Sequence, residues 1–189
     1  MPLWKRTVLS LACLIACLLF AHLATLAQAK PTNPRAAVQT FFTLLKTQQY
    51  QTLYDYLPRE YQQQITREQL TQSLKRLEAF IVIGKMELGR VQQKGDFAVV
   101  DTTIYGKLKQ PLKLNGQEIS EGRVITQQYL LKENGQWKVA TADDRTRGYF
   151  LKRNPAFSKD FQLTRSQFAF KQDGKWQAFS PQRNLAPQR

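Results

Sequence analysis

The chain has 189 residues and carries 28 Lys and Arg against 14 Asp and Glu, a formal net charge of +14. Its single histidine, His22, and both cysteines, Cys13 and Cys17, fall within the first 22 residues. The remainder of the chain has no imidazole and no thiol, which excludes histidine bases, cysteine nucleophiles, Cys/His zinc sites and disulfides from that part.

Met1 to Thr7 holds Lys5 and Arg6 and no acid, and Val8 to Leu26 is apolar apart from Ser10, His22 and Thr25. Ala27-Gln28-Ala29 then supplies a small-x-small cleavage pattern, so residues 1–29 read as an export signal. Two alternatives stay open. The apolar stretch is long enough to anchor the chain uncleaved in a membrane. Leu14-Ile15-Ala16-Cys17 also resembles a lipobox, although apolar Leu18, Leu19 and Phe20 come directly after it. Each reading places residues 30–189 outside the cytoplasm, periplasmic or extracellular. Without Lys5 and Arg6, 26 of the 28 bases remain against 14 acids, a net +12 over one domain's length. Such a surplus suits an anionic environment such as a membrane surface, an acidic polymer or an acidic envelope protein. Nucleic acid is disfavoured for an exported chain. No run of five bases occurs, so much of the charge reads as a solvated surface.

Asn33-Pro34 is an N-cap followed by proline at the first helical position. Ala37, Val38, Phe41, Phe42, Leu44 and Leu45 keep helical spacing, predicting a helix over about 34–47. Tyr50, Leu53, Tyr54 and Leu57 predict a short second helix that ends at Pro58. Thr66-Arg67-Glu68-Gln69 is a capping box that opens a third helix, with Leu70, Leu74 and Leu77 on one face and an end near Ala79. The period then becomes strand-like over 80–90 and 97–109, joined around Lys94-Gly95-Asp96. Gly116 and Gly122 punctuate a polar turn. Strands over 123–133 and 136–142 are joined by Asn134-Gly135, a type I′ hairpin signal. The same aromatic-x-apolar-Lys-x-(Asn/Asp)-Gly-x-Trp pattern occurs at Tyr129–Trp137 and at Phe168–Trp176, which predicts a second hairpin of the same chemistry. The tail 181–189 is polar and reads as loose.

Helices first and strands after make an α+β fold, with three N-terminal helices on a curved antiparallel sheet. The first helix with Val38, Phe41 and Phe42, the Gln49-Tyr50-Gln51-Thr52-Leu53-Tyr54 segment and the closing Asn-Gly-Gln-Trp-Lys-Val hairpin resemble the NTF2-like, or cystatin-like cone, superfamily, among exported bacterial proteins. The resemblance covers about 34–142, leaving 143–180 as an added C-terminal hairpin within a domain over 30–180. It implies a conical cavity between helices and sheet. Some relatives are isomerases, dehydratases or cyclases with Asp, Tyr or His in that cavity, and others only bind. It also leaves a homodimer through the sheet face open.

On the strand from Phe97, odd positions share one face and even positions the other. An inward odd face would present Asp101 and Tyr105 about 13 Å apart along the strand, and Tyr54 or Tyr105 would then serve an oxyanion. This is the isomerase or lyase reading. Against it stands a solvated strand aspartate beside a base. The binding reading puts a small apolar ligand among Phe41, Tyr54, Phe97, Val99 and Trp137, or an envelope partner on the sheet. For Trp137, core packing is the competing account. Asp143-Asp144 lacks a third carboxylate at calcium-loop spacing, so no metal and no cofactor is assigned. Arg145, Arg147, Lys152, Arg153, Lys159 and Arg165 interleave with Tyr149 and Phe150, a pattern suited to anionic lipid or polymer. Its alternative is a basic connector whose aromatics pack inward. The expectation is an exported, non-catalytic binding protein, with the enzyme and a basic envelope adaptor as rivals.

Overall fold

The structure is a computed structural model, and the residues described are 31–114, 117–140 and 144–179. The expected export signal, Gly116, Asp143 and the tail 181–189 lie outside them, as does the side chain of Asp144.

Helix α1, Pro34–Lys46, begins where the Asn33 Oδ1 accepts the Ala36 N–H at 2.9 Å. It buries Ala37, Val38 and Leu44. The expected second helix is split into α2, Tyr50–Leu53, and a 3-10 turn, Tyr54–Tyr56, before Pro58. A one-turn α3, Arg59–Gln62, comes next, its first N–H capped by the Glu133 carboxylate. Helix α4, Arg67–Glu78, has both arms of the capping box: Gln69 N–H to Thr66 Oγ1 at 3.2 Å and Thr66 N–H to Gln69 Oε1 at 2.8 Å. None of its residues is buried; Leu70 and Leu74 are half-covered and Leu77 is exposed. The helical part is thus more broken than three clean helices, because Pro58 and the short apolar runs give no room for longer ones.

The strands are β1, Ile81–Lys94; β2, Phe97–Leu114; β3, Gln117–Glu133; β4, Gln136–Val139; β5, Gln167–Gln172; and β6, Lys175–Phe179. Their order is β1-β2-β3-β5-β6, with β4 also on β3, and every pairing is antiparallel. Gly122 does not mark a turn. It sits inside β3 between Gly106 and Phe170. Between β4 and β5 the extension is more than a hairpin: it first forms α5, Asp144–Arg153, and α6, Phe157–Asp160.

Each face of the sheet carries a core. On the inner face Ala98, Val100, Leu130, Trp137 and Val139 pack with Ala37 and Val38 of α1. On the outer face Val99, Tyr129 and Ala140 pack with Phe150, Phe157 and Phe161 from the C-terminal helices. One residue's step along β2 moves a side chain from one core to the other. This explains why Ala98, Val99 and Val100 are all fully buried.

Candidate functional site

The faces decide the fate of the acid–base candidates. Asp101 shares the outer face with Val99, away from α1. Its carboxylate accepts Gln127 Nε2 at 3.0 Å and lies 3.7 Å from Arg90 Nε. Gln127 in turn donates to the Gln162 carbonyl and accepts the Thr164 N–H at 2.9 Å. Asp101 therefore ties the sheet to the chain leaving α6. Tyr105 donates its hydroxyl to Glu87 Oε2 at 2.9 Å, under the Lys85 ammonium and beside the Trp176 ring. Hydrogen bonds from Lys85 and then Tyr105 hold the Glu87 carboxyl below its usual range. Tyr54 places its hydroxyl 2.8 and 3.0 Å from the carbonyls of Gln62 and Ile65, with Arg67 stacked on its ring. The three groups do not converge, and both hydroxyl protons have acceptors within the fold.

The expected ligand pocket also comes apart. Phe41 and Trp137 belong to the inner core, Phe97 and Val99 to the outer one, and Tyr54 to the helical segment. Trp137 is 2 % exposed, which makes it a core residue. A cleft of about 360 Å³ does exist, open to solvent and lined by Arg59, Glu60, Gln63, Leu131, Glu133 and Asn154. None of the expected pocket residues lines it. Among the described residues no group of His, Cys, Asp or Glu is placed to hold a metal ion.

Arg147 is not a surface base. It is 8 % exposed and lies against β3 between the stretches that pair with β4 and β5. Among the described residues, β4 pairs with residues 130–133 of β3 and β5 with 122–125, and between these pairings the Tyr129 carbonyl accepts the Ala140 N–H at 2.8 Å. The Arg147 guanidinium enters there, donating to Ser166 Oγ at 2.8 Å, Thr126 Oγ1 at 3.2 Å, Tyr129 Oη at 2.6 Å and the Thr164 carbonyl at 2.6 Å. The rest of the basic stretch divides. Arg153 faces Glu60, whereas Arg145, Lys152, Lys159 and Arg165 are exposed. Its aromatics point inward: Phe150 is fully buried, and Tyr149 is half-buried against Tyr61. The signal for α5 was the spacing of Arg147, Phe150 and Leu151, hidden under the alternation of charge.

A feature not anticipated from the sequence lies on the inner face beyond α1. Met86, Ile104, Val124, Phe168 and Phe179 are successive cross-strand partners, one from each of five strands. They form an apolar row about 19 Å long at the usual strand spacing. Met86 packs at the edge of the α1 core. Phe168 and Phe179, at the far end, are 47 and 39 % exposed.

Comparison with known proteins fits this architecture. The model of the NTF2-like N-terminal transpeptidase domain matches residues 33–143. The chain belongs to this family. The NTF2-like match ends before α5, so α5, α6, β5 and β6 lie outside it. No curated protein matches the chain. Among solved structures, a SEC-C motif containing protein from Rhodopseudomonas palustris is 12 % identical, with a TM-score of 0.44 over 59 % of this chain and 78 % of its own. A protein from Campylobacter jejuni described as an NTF2-like transpeptidase is 15 % identical, with a TM-score of 0.38 over 57 and 96 %. A protein of unknown function from Mycobacterium tuberculosis is 12 % identical, with a TM-score of 0.35 over 68 and 92 %. Likenesses this distant add nothing about function.

Proposed function

We propose that this NTF2-like chain is an exported, non-catalytic binding module that seats an apolar surface of a cell-envelope protein on the open half of its inner sheet face. The observation that carries this reading is the row from Met86 to Phe179. Five apolar side chains stand in register, and their exposure is greatest where α1 no longer covers the sheet. Exposed apolar surface of this kind marks a site of association. An open row suits an extended partner better than a small ligand, which needs enclosure on most sides. The family description ties the fold to transpeptidases. With Asp101 on the outer face and Tyr54 and Tyr105 held by other groups, the domain reads as a companion of an envelope enzyme. The basic composition and the export pattern of residues 1–29 support the same compartment. Among the described residues no helix is long and apolar enough to cross a membrane.

A photo-crosslinking amino acid at position 168, introduced in the native host, tests the reading. The expected result is one discrete protein adduct that disappears when Val124→Asp interrupts the row. Adducts at 168 that survive this change, or none at all, would overturn it. A small molecule retained on the purified chain in native mass spectrometry would replace the protein partner with a ligand.

A further inference from the structure

Phe80, Leu112 and Val82 are the three most exposed large apolar side chains among the described residues, at 69, 61 and 50 %. All three stand at one end of the sheet. Phe80 follows Ala79, the C-cap of α4: its N–H donates to the Leu77 carbonyl at 3.0 Å, and its carbonyl accepts the Lys109 N–H at 2.9 Å. Val82 pairs with Lys107, and Leu112 lies further along the same strand as those lysines. Leu77, 43 % exposed, adds a fourth apolar side chain from the last turn of α4.

The bases at this end are Lys75, Arg76, Lys107, Lys109 and Lys113, and all are exposed. The acids there are fewer and are engaged. Glu78 is half-buried and hydrogen-bonded to Tyr50, Glu118 faces Lys113 across the hairpin, and Glu121 is held between Lys107 and Lys171. Exposed aromatic and aliphatic tips among lysines are poorly suited to bulk water. They match a boundary whose depth is apolar and whose rim is negative.

We infer that this end of the sheet, built from the last turn of α4, the start of β1 and the second half of β2, docks on an anionic phospholipid surface. Phe80, Val82 and Leu112 enter the acyl boundary while the lysines meet the head groups. The basic stretch 145–165 lacks this second component, because Phe150 and Phe157 are buried in the outer core. Val82 and Lys107 of the patch are register partners on the face opposite the inner-face row.

The test uses the full chain with Cys13→Ser and Cys17→Ser, so that a single introduced thiol carries an environment-sensitive bimane dye. One version has Leu112→Cys and a second has Lys159→Cys on the other basic surface. Vesicles are equal parts phosphatidylglycerol and phosphatidylcholine, or phosphatidylcholine alone, each with brominated acyl chains as quencher. The apolar N-terminal segment is the same in every version, so the dyes read the local surface. Expected is quenching at 112 and not at 159, in the anionic vesicles only. Lys107→Gln with Lys109→Gln should weaken that signal by roughly 25-fold, since each base near such a surface contributes about fivefold. Four results would overturn the inference: a solvent-exposed dye at 112 in both vesicles, quenching at 159 alone, equal quenching without anionic lipid, or a concentration-dependent shift without vesicles, which would make the patch a contact between copies or with protein.

Discussion

Arg147 shows how little a residue type says about its place. Its guanidinium lies between the stretches of β3 that pair with β4 and β5 and joins the strand, through Tyr129 and Thr126, to the segment that leads into β5. Hydrogen bonds from a charged donor each contribute about 1.5–3 kcal/mol, and buried acceptors left without a donor carry their own cost. Arg147→Met should therefore lower stability by about 3 kcal/mol or more, measured as a loss of ΔG in urea unfolding. Arg145→Met, in solvent at the start of the same helix, should change it by less than about 0.5 kcal/mol. Asp101 gives the opposite contrast. Asp101→Asn keeps an acceptor for Gln127 and loses only a half-exposed, 3.7 Å pair with Arg90. The expected cost is below about 1 kcal/mol in the same measurement. Asp101 was legible as a candidate because it interrupts an apolar strand. Which face it occupies was not, because both faces of β2 are apolar and each has a helical cover. Only the contacts of Val99 and Val100 separate them.

At the scale of elements, local signals with a defined backbone geometry were the readable ones. The N-cap at Asn33 and the capping box at Thr66 are both present. So are both repeats of the hairpin pattern: Asn134 and Gly135 take φ of 49° and 77°, and Asp173 and Gly174 take 47° and 74°. Nothing approaches the position of an added Cβ at either glycine, so an alanine there meets only the conformational penalty of the left-handed region, about 1–2 kcal/mol. The two turns should nevertheless respond differently. Gly135 joins β3 to β4, whose Trp137 and Val139 are in the inner core, so Gly135→Ala should lower the global unfolding free energy by that amount. Gly174 joins two strands at the sheet edge, so Gly174→Ala should speed amide exchange in β5 and β6 while leaving the rest of the sheet protected. Thr66→Ala should cost α4 about 1 kcal/mol, seen as lost protection at Gln69 and Leu70. Helix α5 was not legible because it is only ten residues long and its buried face carries an arginine in place of an aliphatic residue.

Over the whole molecule, one strand register serves two cores, and charge sets the conditions under which they hold. Ion pairs such as Lys85–Glu87 and Lys171–Glu121 are surface pairs and contribute little each. The net charge, +14 for the whole chain and +12 without Lys5 and Arg6, acts through mutual repulsion that folding concentrates. Raising ionic strength from very low values should then raise Tm, because screening relieves the repulsion by more than it weakens the few pairs. Acid should act in the other direction. The Lys171 hydrogen bond, together with the charges of Lys171 and Lys107, holds Glu121 below the ordinary glutamate value of 4.5, and Lys85 does the same for Glu87. A carboxyl with a folded pKa below its unfolded one stabilises fully above the unfolded value and loses that contribution as pH falls through the folded one. Protonation also removes negative charge from an already positive surface. The expected outcome is a stability plateau above about pH 5 and a decline below about 4.5 that is steeper at low salt. In Lys171→Met, the Glu121 carboxyl should titrate closer to its ordinary value, measured by carbon NMR. A midpoint unmoved by that change would assign its depression to Lys107, across the β2–β3 pairing.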